Sequence, residues 1–160
     1  MRPYLKLIFQ VLVAMAVLPV HAGAYEDFFS ALERDDPVTV QRLLQRGFDP
    51  NAVDAKGQPA LTAALKLESN RVVEALVASP ELRVDLANSA GETPLMIAAL
   101  RGSLDWTRRL VERGAEVNRA GWTPLHYAAS GPEPKVVAYL LDRGAAIDAL
   151  SPNGTTVPPA

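Results

Sequence analysis

The sequence predicts an all-α solenoid built from four repeated helix pairs, and three observations predict it. First, one phrase recurs: Gly57-Gln-Pro-Ala-Leu-Thr-Ala-Ala64, Gly91-Glu-Thr-Pro-Leu-Met-Ile-Ala-Ala99 and Gly121-Trp-Thr-Pro-Leu-His-Tyr-Ala-Ala129. Second, the glycines Gly57, Gly91, Gly121 and Gly154 follow one another at 34, 30 and 33 residues, a fixed period of the kind that marks stacked repeats. Third, each full phrase leads into a run of aliphatic residues at helical spacing that stops at a turn signal, as at Gly114 and Gly144.

The last full unit, Gly121 to Ile147, shows the physics of one copy. Thr123 is suited to cap a helix, and Pro124 in the first turn costs no hydrogen bond. Leu125 points to the core, and Ala128 and Ala129 are small enough for close approach. Gly131-Pro132 ends this first helix. The second carries Val136, Val137, Leu140 and Leu141 on one buried stripe, and Gly144 supplies the left-handed residue that stops it.

Residues 91–118 repeat this plan with Leu95, Ala98 and Ala99 on the first helix. Leu104, Trp106, Leu110 and Val111 follow on the second. The stretch before Gly121 is three residues short, which predicts a blunt finger there. Residues 54–86 are a degraded copy: Pro59-Ala60 replaces Thr-Pro, and Glu68 stands where an inter-helix glycine is expected. Its stripe survives in Leu61, Ala64, Val72, Val73, Leu76 and Val77. The first unit buries Phe28, Ala31, Leu32, Val40, Leu43 and Leu44. It turns Glu26, Glu33, Arg34, Gln41 and Arg42 outward, as a terminal capping repeat requires.

A period near 33 residues with Thr-Pro-Leu-His and Ala-Ala resembles the ankyrin repeat, and the resemblance covers nearly all of the chain beyond residue 24. It divides residues 25–150 into repeats at about 25–53, 54–87, 88–118 and 119–150. The resemblance implies a scaffold in which His126 bonds backbone between neighbouring repeats. It also implies a protein-binding concave surface formed by finger tips and first-helix ends. Carried over position by position, that surface contains Lys56, Gln58, Lys66, Glu92, Leu100, Arg101, Arg119, Trp122 and Ser130. Trp122 is the candidate anchor, with packing between neighbouring fingers as its other reading.

Arg2 and Lys6, an apolar run from Leu7 to Leu18, and small residues around Ala22-Gly23-Ala24 read as a cleavable export signal over residues 1–24. Cleavage after Ala24 or after Ala22 fits the small residues. The apolar run is shorter than the roughly 20 residues of a membrane span, so no membrane insertion is expected after cleavage. The net charge of −2 becomes −4 without residues 1–24, with 14 basic against 18 acidic residues. That balance gives no electrostatic basis for binding nucleic acid.

Cysteine is absent, and His126 is the one histidine beyond the signal. Neither a catalytic residue, a metal site nor a cofactor site is expected. The function implied is a non-catalytic, exported protein-binding module of the periplasm or the medium. An inhibitor or immunity-type regulator of an envelope enzyme, and a secreted effector acting on a host protein, are the rival readings.

Asn153-Gly154-Thr155-Thr156 opens a fifth phrase that Val157-Pro158-Pro159-Ala160 abandons, so residues 151–160 read as a disordered tail or aborted repeat. The fourth repeat then has no polar cap beyond it. A truncated reading frame, fraying, or self-association through that bare repeat would each account for this.

Overall fold

The computed structural model describes residues 23–154 and residue 156. Among the described residues eight helices follow one another in pairs. The first, α1, is described over residues 23–33. The others are α2 (Pro37–Gln45), α3 (Ala60–Lys66), α4 (Asn70–Val77), α5 (Pro94–Leu100), α6 (Leu104–Glu112), α7 (Pro124–Ala129) and α8 (Pro134–Asp142). Among the described residues the only extended pairing is an isolated bridge between Val53 and Pro59. The expected all-α solenoid is the observed fold. First helices α3, α5 and α7 pack in one row; of the second helices α2 packs on α4 and α6 on α8, and the Glu74–Arg109 ion pair joins α4 to α6.

Local chemistry fixes the helix starts. Asp36 Oδ1 accepts from the backbone N–H of Val38 and Thr39 at 3.1 and 3.2 Å, and Oδ2 accepts from the Thr39 hydroxyl at 2.6 Å. These bonds favour the ionised form, so the Asp36 carboxyl is held below its ordinary value. Thr93 and Thr123 cap α5 and α7 with proline next in line. Ser69 precedes α4 but does not cap it, because its hydroxyl is committed elsewhere, donating to Leu32 O at 2.6 Å. Asp35 makes a second stitch between the same repeats by accepting from Val72 N–H at 2.9 Å.

Burial follows the predicted stripes except at Leu141, which is 37% exposed, and at Leu44, Leu104, Val111 and Val137, which are half-buried because they lie at the edges of their stripes. Phe28, Ala31, Val40, Val72, Val73, Leu76, Leu95, Ala98 and Leu110 are fully enclosed. One core cluster runs from the first repeat into the third, and a smaller one joins Ala99 to Leu125, Ala128, Val136 and Leu140 of the fourth. Glu26, Glu33, Arg34, Gln41 and Arg42 are exposed, as a capping repeat needs.

Two devices recur among the fingers. At the base, Asn51 accepts from Arg83 N–H at 2.7 Å, Asp85 from Glu116 N–H at 3.0 Å, and Asn118 from Ala146 N–H at 2.8 Å. Each of these side chains thus reaches forward to the next repeat. Three residues later, a tip turn is closed by Gly57 N–H to Asp54 O, Gly91 N–H to Asn88 O and Gly154 N–H to Ser151 O. In the short finger Asn118 is followed at three residues by Gly121 itself, so the tip turn is missing. The finger is blunt for that reason.

Two expectations need adjustment. Ser151 is buried, and its turn with Gly154 stacks on the fourth finger through Pro152 beside Gly121. The ordered array therefore extends past the expected tail boundary at Ser151; residues 155 and 157–160 lie outside the described residues. Gly23 and Ala24, assigned by sequence to the signal, belong to α1, where Ala24 packs on the core. Residues 1–22 lie outside the described residues.

Candidate functional site

The phrase places equivalent residues at fixed offsets from its glycine, and two offsets build the candidate surface. The residue after the glycine is Gln58, Glu92 or Trp122. The residue nine positions after it, at a first-helix end, is Lys66, Leu100 or Ser130. Stacking brings the second offset of one repeat against the first offset of the next.

Between the second and third repeats this diagonal pair is ionic. Lys66 Nζ donates to Glu92 Oε2 at 2.7 Å and to Gln58 Oε1 at 3.3 Å. Asn88 Nδ2 donates to the same two residues at 2.7 and 3.2 Å. The Tyr127 hydroxyl of the fourth repeat donates to Glu92 Oε1 at 3.4 Å. Glu92 is thus the hub of a network crossing three repeats. The Lys66 bond, with smaller help from Asn88 and Tyr127, holds its carboxyl below the ordinary range. Burial, then the Glu92 charge, pushes the Tyr127 hydroxyl up.

Between the third and fourth repeats the same diagonal is apolar. Leu100 and Trp122 face a cavity of about 200 Å³ completed by His126, Tyr127 and Ser130. Trp122 is 44% exposed and Leu100 38%. The Trp122 ring meets the His126 ring edge-on at 5.4 Å between centroids, which orients the indole while leaving much of it open. Trp122 is thus partly exposed at a cavity that it shares with Leu100 of the preceding repeat.

His126 departs from the family pattern. Its Nδ1 accepts from Thr123 N–H at 3.3 Å and lies 2.8 Å from Thr123 Oγ1. Both contacts are inside its own repeat. The ring proton then belongs on Nε2, which is buried and has no partner among the described residues. The expected bond to a neighbouring repeat is therefore not made. The following finger offers only its Ser151–Gly154 turn, with no helix pair behind it among the described residues.

The remaining expected residues divide cleanly. Lys56 is exposed at a finger tip and Ser130 at the end of α7. Arg119 is half-buried and lies near enough to Asp85 to favour its charge, though burial dominates and pushes the Asp85 carboxyl up. Arg101 is exposed but engaged, donating to Glu68 Oε1 at 2.8 Å and to Lys66 O. Gln58, Lys66, Glu92 and Arg101 thus hold the repeats together, while Leu100, Trp122 and Ser130 line an opening. Asn88 and Tyr127 were not among the expected residues. The available signal was a tyrosine at the offset where the third repeat has Ile97. Among the described residues no group of three His, Cys, Asp or Glu side chains could hold a metal ion.

Comparisons with known proteins agree with this construction. The family described as ankyrin repeats (3 copies) matches residues 28–120 and 69–151. Ankyrin repeat and SAM domain-containing protein 6 of Rattus norvegicus is 34% identical over 125 residues, 76% of this chain and 13% of that protein. Protein phosphatase 1 regulatory subunit 27 of Homo sapiens is 39% identical over 77 residues, 45% of this chain and 50% of that protein. Glycerophosphocholine phosphodiesterase gde1 of Schizosaccharomyces pombe is 37% identical over 100 residues, but only 8% of its length is spanned. The chain spans half or less of each of these relatives.

Proposed function

The chain belongs to the ankyrin-repeat family, and from that premise we propose that it is an exported, non-catalytic module that binds a protein partner on its concave surface. The observation that carries this reading is the opening between the third and fourth repeats, where Leu100 and the half-exposed Trp122 flank a cavity sized for one large apolar side chain. An aromatic edge beside a pocket is the usual form of a binding hot spot. The ionic network on the second and third repeats holds the pocket wall through Tyr127, so little ordering is needed when a partner docks.

Export rests on the N-terminal pattern of Arg2, Lys6 and the apolar run. The place of Ala24 against the core favours cleavage after Ala22, which keeps Ala24 in the mature chain. A regulatory variant of the same function, in which the bound partner is an enzyme held inactive, is favoured by the similarity to a phosphatase regulatory subunit.

The test is capture from the periplasmic fraction with the purified protein, with Trp122→Ala and Leu100→Ala as paired variants and mass spectrometry of the mature N-terminus. Loss of a stoichiometric partner in both variants, with helical circular dichroism unchanged, is the expected outcome. Undiminished capture by both would remove the pocket from the binding surface, and a chain retaining residues 1–22 in the cytosol would remove export.

A further inference from the structure

The second helices of neighbouring repeats meet along a diagonal, and two junctions fill it differently. Val72, Trp106 and Val136 are equivalent positions in the second, third and fourth repeats. Two residues on stand Glu74, Arg108 and Ala138, and three on stand Ala75, Arg109 and Tyr139. The two-on residue of one repeat reaches the three-on residue of the next.

Between α4 and α6 this diagonal is satisfied within the chain. Arg109 lies over the Trp106 ring at 4.5 Å and gives both its Nη groups to the Glu74 carboxylate. The ring has an acceptor of its own, because Trp106 Nε1 donates to Asn70 Oδ1 at 2.7 Å.

Between α6 and α8 the aromatic and the cations recur, but both acceptors are missing. Arg108 lies over the Tyr139 ring at 5.5 Å, and Arg143, at the end of α8, at 4.9 Å. Both guanidiniums are exposed, and among the described residues neither has a carboxylate at ion-pair distance. Asp105, Glu112 and Asp142, the carboxylates of these two helices, pair with neither. The Tyr139 hydroxyl is buried and has no hydrogen-bond partner among the described residues. The cluster faces back onto α6, so it is complete without anything beyond α8.

We infer that Arg108, Tyr139 and Arg143 form a binding site for a carboxylate, supplied by an acidic segment of a partner protein. The ligand does here what Glu74 does at the earlier junction. Its oxygens accept from the two guanidiniums and from the Tyr139 hydroxyl, which satisfies all three groups together. Both arginines are held by the ring alone, so closing on a carboxylate breaks no ion pair. Charge favours an acidic ligand on this side. Residues 37–46, 70–79, 104–113 and 134–143, the second helices with their end turns, hold eight Lys and Arg against four Asp and Glu. The chain as a whole has a net charge of −2, so the positive excess is local to these helices. The site does not rest on the reading of the Trp122 cavity.

Calorimetric titration of the purified protein with a hexaglutamate peptide tests it. Hexaglutamine, inorganic phosphate and anionic phospholipid vesicles are the other probes. One hexaglutamate per chain is expected, and Arg108→Gln or Arg143→Gln should weaken it about tenfold. Tyr139→Phe keeps the ring and removes the hydroxyl, and should weaken it about threefold or more. Arg42→Gln, at an exposed arginine of α2 outside the cluster, and Trp122→Ala should leave the affinity unchanged. Helical circular dichroism checks the folding of each variant, and the two exposed arginines carry the reading should Tyr139→Phe lose it. Absence of hexaglutamate binding overturns the inference, as do equal losses for Arg42→Gln and Arg108→Gln, or full affinity in a folded Tyr139→Phe. Hexaglutamine, phosphate or vesicles bound as tightly as hexaglutamate would overturn the assignment to an acidic segment.

Discussion

The junction between the second and third repeats and the junction between the third and fourth use the same offsets for opposite ends. In the first, Lys66 and Glu92 close on each other with Gln58 and Asn88 around them. In the second, Leu100 and Trp122 leave a cavity. The helix ends differ too. Ten residues after the phrase glycine stand Leu67 and Arg101 in the earlier repeats but Gly131 in the fourth. A Cβ on Gly131 would lie 2.9 Å from both Ala99 O and Leu100 O. The later junction is therefore tight at the backbone and open at the side chains. Side chains at the same two repeat offsets can close a surface or leave it open.

The largest effect that would break this comparison is Gly131→Ala. The carbonyls it meets are backbone and cannot swing away, so α7 must shift from α5, at a cost of about 1–3 kcal/mol. Urea unfolding should show this loss, while Arg101→Ala, at the equivalent offset in the third repeat, should lose less because its ion pair is exposed. An unchanged urea midpoint for Gly131→Ala would show that the junction is not tight.

A smaller effect, of opposite sign, sharpens the contrast from the other side. Glu68 sits at φ 58° where Gly102 has φ 70°. A side chain in the left-handed region costs about 1–2 kcal/mol, and the exposed Glu68–Arg101 pair returns only part of it. Glu68→Gly should stabilise the protein by up to about 1 kcal/mol. A lower melting temperature in that variant would mean that the ion pair outweighs the strain.

The smallest effect is on pH dependence. Folding depresses the Glu92 carboxyl below its ordinary value of 4.5, chiefly through Lys66. The stability it contributes is complete above that ordinary value and is lost as pH falls through the depressed one. Glu92→Gln should flatten this part of the acid limb of stability against pH. Leu100→Ala, across the neutral junction, should leave the slope unchanged. Equal slopes in wild type and Glu92→Gln would break the assignment of the network as ionic.

The second repeat shows why much of the fold was legible. Its start has no side-chain cap at Pro59, its turn places Glu68 in the left-handed region, and buried Thr62 Oγ1 finds no partner among the described residues. It folds like its neighbours nonetheless, because Leu61, Ala64, Val72, Val73 and Leu76 keep the stripe that neighbouring repeats bury. Periodicity survives the loss of local signals, and periodicity is what a sequence displays.

Sequence alone determined the helix pairs, the period, the capping character of the first repeat and the blunt finger before Trp122. All of these follow from spacing and residue type along the chain. Tertiary structure decided which surface residues are spent on one another. Lys66 and Glu92 are 26 positions apart, and Tyr127 is 35 from Glu92. Whether such groups meet depends on the rise and rotation between repeats. The same geometry left Leu100 and Trp122 facing a cavity and kept His126 within its own repeat. Burial belongs to the stack of repeats, and no single repeat carries it in its sequence.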